Sequence, residues 1–312
     1  MDRPLISLIV PCYNVEKLCD RFFQSLLEQT YSRIQLILIN DGSTDGTEQK
    51  LYSYKDALEK KGYIFEYIYQ ENRGLGGAIN SGLKRVRGEY LCWADPDDYY
   101  EKNAFEIRLN YFREHPDCNV LTADAYVRNI DTIDTAYLLS KDFDNRKKKR
   151  FKLLLDGNSI FCSGCHMVKI GAFKKVNPCF DIYEARRGQN WQLLLPLYYD
   201  NEVDFLSVPI YNYIIYRSSM SHSDHSYEDK LKRMEEHDEI KINTINRLLI
   251  SNEQKMKWIM YVSRQTLRLK LFLAVKYKNG EDYKSFYQQA REQRALSGID
   301  LIRIFKMKLS NK

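Results

Sequence analysis

Four short apolar runs punctuate the first hundred residues, and each stops at a polar cluster. They are "LISLIVPCYN" (5–14), "IQLILIN" (34–40), "YIFEYIYQ" (63–70) and "GEYLCWA" (88–94), rich in branched and aromatic residues. Runs of this kind read as strands buried on both faces. Helical stretches separate them. Residues 15–29 carry Leu18, Phe22, Leu26 and Gln29 at helical spacing. Ser43, Thr44 and Asp45 can cap a helix that runs to about Gly62. "ENRGLGGAINSGLKRV" is a Gly-rich turn opening a third. The order β-α-β-α-β-α-β implies a parallel sheet with right-handed crossovers and helices on both faces. Ligands of such sheets bind beyond the carboxyl ends of the strands. Pro11–Asn14, Asn40–Thr47, Glu71–Gly77 and Asp95–Asp98 all lie at such ends, and together they should line one crevice.

Beyond residue 100 the pattern is mixed. A helix is expected over 101–115, followed by the strand-like "CNVLTADAYV" and the charged, exposed "DNRKKKRFK" (144–152). "VDFLSVPIYNYIIY" (203–216) can extend the sheet. After about Tyr227 the chain reads as helical to its end, with no Pro. The expected organisation is an α/β domain over 1–226, with a nucleotide-binding half (1–100) and an acceptor half (101–226), then a basic helical extension over 227–312. Residues 253–312 hold 14 Lys and Arg against 5 Asp and Glu, whereas 1–252 hold 34 against 37, so the positive charge sits in the tail. No apolar run approaches the ~18 residues of a spanning helix. The early strand-like run does not look like a signal peptide, and seven scattered cysteines suit a reducing compartment, so a cytoplasmic protein is expected.

"WADPDDYY" (93–100) crowds Asp95, Asp97 and Asp98 directly after a buried strand. Such a cluster is costly unless something neutralises it. Mg2+ or Mn2+ prefers carboxylate oxygens and keeps water, and two aspartates at a strand end can divide the work, one for a ribose and one for the metal. Taken alone, "DPDD" also suits an ordinary surface turn. A dinucleotide site is excluded by motif. "GLGGAINSG" places Ile79 where a third glycine would stand, and it follows the third strand. No phosphate loop of the G-x-x-x-x-G-K-[ST] type is present.

"VPCYNVEKL", "NDGSTDGT", "NRGLGGAINSGL" and "GEYLCWADPDDYY", in this order and spacing, resemble the family 2 glycosyltransferases of the GT-A fold. The resemblance is strong over roughly 5–100, weaker to about 220 and absent in the tail. It implies a mostly parallel, Rossmann-like sheet with helices on both faces. It also implies a nucleotide-sugar donor, most often a UDP-sugar, a Mg2+ or Mn2+ cofactor, and inverting transfer to a hydroxyl of a growing glycan. Bacterial capsule or O-antigen is the implied setting. Position by position, Pro11 and Tyr13 would bind the donor, with Tyr13 stacked on the base. Asp41 would hold the base edge, and Arg73 the base or diphosphate. Asp95 would face the ribose and Asp97 the metal. Asp98 would support the metal through water or start the next helix.

Inversion needs a carboxylate to take the acceptor proton. The family places it in an acidic pair at a helix start. The matching stretch here, "RRGQNWQLLLPL" (186–197), reads Gln189-Asn190-Trp191. Three readings follow. Asp181 or Glu184, in "FDIYEARRG", supplies the carboxylate; Asn190 only orients the acceptor; or the protein binds a sugar nucleotide without transfer, as a subunit partnering an active transferase.

"YRSSMSHSDHSYE" (216–228) matches a segment that closes over the donor in the family, with Arg217 as a phosphate clamp and His222 as a metal ligand or diphosphate donor. "CSGC" (162–165) lacks a second pair at zinc spacing and is read as acceptor-pocket lining. Small Ser163 and Gly164 would leave room for a sugar, and His166 would bond it. In the tail, Ile299, Ile302, Phe305 and Leu309 share a helical face interleaved with Arg303, Lys306 and Lys308. That face suits an anionic membrane surface carrying a lipid-linked acceptor, or packing on the body, or self-association into a homo-oligomer. Nucleic acid is not expected, for no recognition motif is present.

Overall fold

The computed structural model describes residues 3–143, 148–216 and 226–310, with side chains to Met307. The chain forms two compact units that divide after Tyr216.

In the first unit the strands are β1 (Ile6–Cys12), β2 (Ile34–Asp41), β3 (Ile64–Gln70), β4 (Tyr90–Trp93), β5 (Tyr99–Tyr100), β6 (Val120–Asn129), β7 (Ala136–Leu138), β8 (His166–Lys169) and β9 (Val203–Ile215). They make one sheet in the order β3-β2-β1-β4-β8-β6-β9-β5, with β7 pairing β6. The block β3-β2-β1-β4 is parallel throughout, as the alternation of apolar runs and helices requires. β8 is antiparallel to both neighbours, and β9 runs parallel to β6 with register shifts at Ala123, Asp124 and Ala125. Strands β1 and β2 are buried along almost their whole length, with Ile6, Leu8, Leu36 and Leu38 fully enclosed. Burying four such side chains contributes about 1.5–3 kcal/mol each, enough to fix the register of this parallel block.

The helices of this unit are α1 (Asp20–Glu28), α2 (Thr47–Ser53), α3 (Lys55–Lys61), α4 (Gly74–Leu83), α5 (Ala104–Glu114), α6 (Phe151–Leu155), α7 (Ile170–Val176) and α8 (Gln189–Asp200). Two depart from the sequence reading. α1 begins at Asp20 because residues 14–16 are held elsewhere. The amides of Asn14, Val15 and Glu16 donate to Ser43, Thr47 and Asp45 at 3.0, 2.8 and 3.3 Å. The expected helix to Gly62 is divided at Tyr54. The basic stretch before α6 is not simply exposed. Arg150 is 1% exposed, with its guanidinium 5.6 Å over the Phe205 ring.

The second unit is helical: α9 (Tyr227–Arg247), α10 (Asn252–Lys276), α11 (Gly280–Glu292) and α12 (Gly298–Ser310). Ser226 and Ser251 form reciprocal capping boxes with Asp229 and Gln254, which explains where α9 and α10 start. Arg268 pairs with Asp300 at 2.6 Å and Lys270 with Glu235 at 2.8 Å. On α12, Ile299, Ile302 and Phe305 are exposed, and Ile304 packs with Leu271 and Val275. No described helix is long and apolar enough to cross a membrane.

Candidate active site

The parallel register sets Cys12 beside Asn40 and Ile9 beside Trp93, so the segments after β1, β2 and β4 leave the same edge of the sheet. Pro11 lies near the end of β1 and Tyr13 directly follows it, half exposed. Asp41 ends β2, almost wholly buried. Its Oδ1 accepts from the Arg73 amide at 2.9 Å and from Gln70 Nε2 at 2.7 Å, which ties the Gly-rich turn to the β2 end.

The acidic turn follows β4. Asp95 and Asp97 are half-buried. Burial, then the neighbouring Asp97 charge, pushes the Asp95 carboxyl up to about 6, against the lowering effect of a hydrogen bond from Ser163 Oγ at 2.8 Å. Burial likewise raises Asp97. The turn is anchored by its carbonyls: Tyr211 Oη donates to that of Asp95 at 3.2 Å, and Tyr216 Oη to that of Asp97 at 3.1 Å. Asp98 differs. It is 1% exposed, and its Oδ1 accepts from the Ile214 amide at 2.8 Å, joining the turn to β9. Burial, then the charge of Asp97, raises its pKa strongly. Asp98 thus ties the turn to β9, and the expectation that it starts the next helix is corrected, for β5 follows it and that helix begins at Ala104.

Asp95 and Asp97 fit a hard divalent cation. Two carboxylates pushed toward protonation by burial gain from a positive charge between them. Among the described residues no group of three or more His, Cys, Asp or Glu gathers to hold an ion. An ion here would draw its remaining ligands from water and a diphosphate, the habit of Mg2+.

The segment 181–186 crosses the glycines of α4. Asn80 bonds the main chain of Ile182 twice, at 2.9 and 2.7 Å. Gln192 does the same for Tyr183, at 2.9 and 2.6 Å. The Gly76 amide donates to the Ala185 carbonyl at 2.9 Å. A Cβ on Gly76 would lie 2.7 Å from Ala185 N and from Tyr183 O, so the Gly-rich turn is small in order to admit this segment. The crossing brings Glu184 to Arg73, and the two form a doubly bonded ion pair with both side chains partly exposed. Asp181 is half-buried, and its main chain bonds Asn177 at 2.9 and 3.3 Å.

Asn190, in the first turn of α8, is 5% exposed. Its Oδ1 accepts from Trp93 Nε1 at 2.7 Å, and its Nδ2 donates to the Phe161 carbonyl at 2.8 Å and lies 3.3 Å from Ser163 Oγ. Gln189 is buried beside it. The reading of "CSGC" as pocket lining is corrected. The ring of Tyr211 fills the space beside Gly164, where a Cβ would stand 2.2 Å from it. His166 is fully buried, stacked 5.7 Å from Trp93, with Nδ1 3.2 Å from Thr122 Oγ1. Burial, then the charges of Arg108 and Arg150, lowers its pKa to about 3, so it is a neutral core residue. Arg217 and His222 lie outside the described residues.

The links Ser163–Asp95, Asn190–Trp93 and Arg73–Glu184 were not readable from spacing, since they span 68, 97 and 111 residues. One signal was present. Closely spaced glycines at 74, 76 and 77 mark a place where another backbone approaches.

This fold and this edge of acidic strand ends define a family. The family model for glycosyl transferase family 2 matches residues 7–176, and the chain belongs to that family. An uncharacterised glycosyltransferase of Rickettsia typhi is 33% identical over 177 residues, 54% of this chain and 54% of that protein. The chain thus spans about half the length of the first curated relatives it matches. S. aureus TarS in complex with UDP-GlcNAc is similar in fold, with a TM-score of 0.66 and 18% identity over 98% of this chain and 88% of that one. The mannosyltransferase PcManGT from Pyrobaculum calidifontis, in complex with GDP-Man and Mn2+, gives a TM-score of 0.51 and 14% identity, covering 100% of this chain and 88% of that one. The fold is GT-A, with a helical C-terminal unit.

Proposed function

We propose that the chain is a metal-dependent inverting glycosyltransferase that moves a sugar from a nucleotide-sugar, a UDP-sugar by preference, to a hydroxyl of a surface glycan. The observation that carries this reading is the shared edge after β1, β2 and β4, with Asp41 beneath the turn of Arg73 and the Asp95–Asp97 pair beside it. The UDP-GlcNAc bound by TarS and the GDP-Man and Mn2+ bound by the mannosyltransferase support it. Tyr13 would stack on the base, Asp41 accept from its edge, and Asp95 take the ribose. Asp97 would hold Mg2+ or Mn2+, whose charge offsets that of the departing diphosphate when bound.

Glu184 is our choice of base. It is the carboxylate that segment 181–186 brings to Arg73 on the donor side. It would take the acceptor hydroxyl's proton while that oxygen bonds the anomeric carbon from the face opposite the diphosphate, whose C–O bond breaks. Arg73 would exchange Glu184 for the diphosphate, freeing the carboxylate only when donor is present. Asn190 has both ends of its amide engaged in the interior, so it is not assigned to the acceptor. A second reading, a sugar-nucleotide-binding subunit without transfer, is favoured by the absence of a carboxylate at 189–190.

The test is nucleotide release from a panel of UDP- and GDP-sugars with Mn2+, with and without glycan extract. Release that requires metal supports the enzyme. Tight nucleotide binding with no release under any condition leaves the binding subunit.

A further inference from the structure

We propose that Ser163 is a positioning residue for Asp95, and that Asn190 sets the direction in which Ser163 donates. The amide that stands where the family has an acid thus serves the donor side. The proposal rests on the reading of Asp95 as a donor-binding carboxylate.

The direction of each bond is dictated by the groups at the ends. Trp93 Nε1 can only donate, so the atom 2.7 Å away is the Asn190 oxygen. The Phe161 carbonyl can only accept, so the atom 2.8 Å away is the Asn190 nitrogen. The second proton of that nitrogen can go to Ser163 Oγ at 3.3 Å; the opposite bond, Ser163 Oγ donating to Asn190 Oδ1, is longer at 3.5 Å and would compete with the 2.8 Å bond to Asp95. A hydroxyl that accepts there has its own proton to give, and Asp95 Oδ2 receives it at 2.8 Å. Trp93, Ser163 and Asn190 are 1%, 1% and 5% exposed, so water competes little for these bonds. The Asp95 carbonyl is held separately by Tyr211. The carboxylate is therefore pinned through Oδ2, and among the described residues Oδ1 takes no hydrogen bond and remains for a ligand.

An acid at position 190 would reverse this arrangement. Its oxygen would face the Phe161 carbonyl without a proton, and its charge would draw the Ser163 proton away from Asp95. Restoring the family's carboxylate here should harm the donor site without adding a base.

The test is a double-mutant cycle on binding, read by calorimetry with Mn2+ and whichever of UDP, GDP and dTDP binds tightest. Asp95→Asn and Ser163→Ala are each expected to weaken binding about tenfold, the scale of one hydrogen bond to a charge. The double variant should bind no more than twofold worse than Asp95→Asn, because Ser163 acts through Asp95. Asn190→Asp should weaken binding like Ser163→Ala. Additive losses, or wild-type affinity in Ser163→Ala, overturn the proposal. Wild-type affinity in Asp95→Asn instead removes the donor role of Asp95 itself. Should Ser163→Ala fail to fold, Ser163→Cys, whose thiol donates weakly, carries the same cycle.

Discussion

Gly76 and Ala185 meet backbone to backbone: the Gly76 amide donates to the Ala185 carbonyl at 2.9 Å, and no side chain fits between them. This contact joins the Gly-rich turn to the segment that presents Glu184.

Gly76→Ala should destabilise the protein by about 1–3 kcal/mol, because its methyl would overlap main-chain atoms that cannot swing aside. Gly171 of α7 is the control. A Cβ there meets nothing within 4 Å, and Gly171→Ala should be neutral or stabilising by up to about 1 kcal/mol. Urea unfolding of both variants decides the matter, and equal midpoints would refute the close approach.

Glu184→Gln should lower turnover by about 10²–10⁴-fold, the usual contribution of a general base, with nucleotide affinity within a factor of two. Arg73→Ala should instead raise the donor KM and weaken nucleotide binding. Steady-state kinetics with calorimetry separates the two patterns. Unchanged turnover in Glu184→Gln moves the role of base to Asp181.

Asp97→Ala should abolish the gain in nucleotide affinity that Mn2+ confers. It should leave thermal stability unchanged or raised, because burial disfavours the charged carboxylate in the folded state. Titrations with and without Mn2+ provide the check. A gain from Mn2+ equal to wild type rules out Asp97 as the ligand.

His166 should make the fold acid-sensitive. Its pKa falls from the ordinary 6.5 to about 3 on folding, so between those values the unfolded chain binds the extra proton. The stability it contributes is complete above 6.5 and is lost as pH falls toward 3, at no more than about 1.4 kcal/mol per pH unit. Between pH 7 and about 5 the wild type should lose roughly 2 kcal/mol that His166→Phe does not lose. Parallel slopes for the two proteins would refute this.

The sheet was legible because branched apolar runs alternate with helical periodicity, and burial on both faces leaves such runs no other use. Strand β9 was visible as the long run at 203–216, but its bulges beside Asp124 were not, since a bulge leaves no spacing of its own. Asp41 and Asp95 could be picked out as strand-end carboxylates. The use of Asp98 by the Ile214 amide could not, for three neighbouring aspartates look alike until one is enclosed. The replacement of acids by Gln189 and Asn190 looked like a loss. Only the positions of Trp93 and Phe161 reveal that an acid at 190 would face a carbonyl.

Segment 181–186 is held by its main chain at Ile182, Tyr183 and Ala185, through Asn80, Gln192 and Gly76. Anchorage of that kind is indifferent to what the outward residues are. Glu184 and Arg186 are both exposed, but Glu184 is the proposed base, so it is the codon of Arg186 that can be randomised in a library without disturbing the scaffold. A collection of variants at position 186 should keep both the fold and the proposed base, which makes it a natural place to vary the surface beside Glu184.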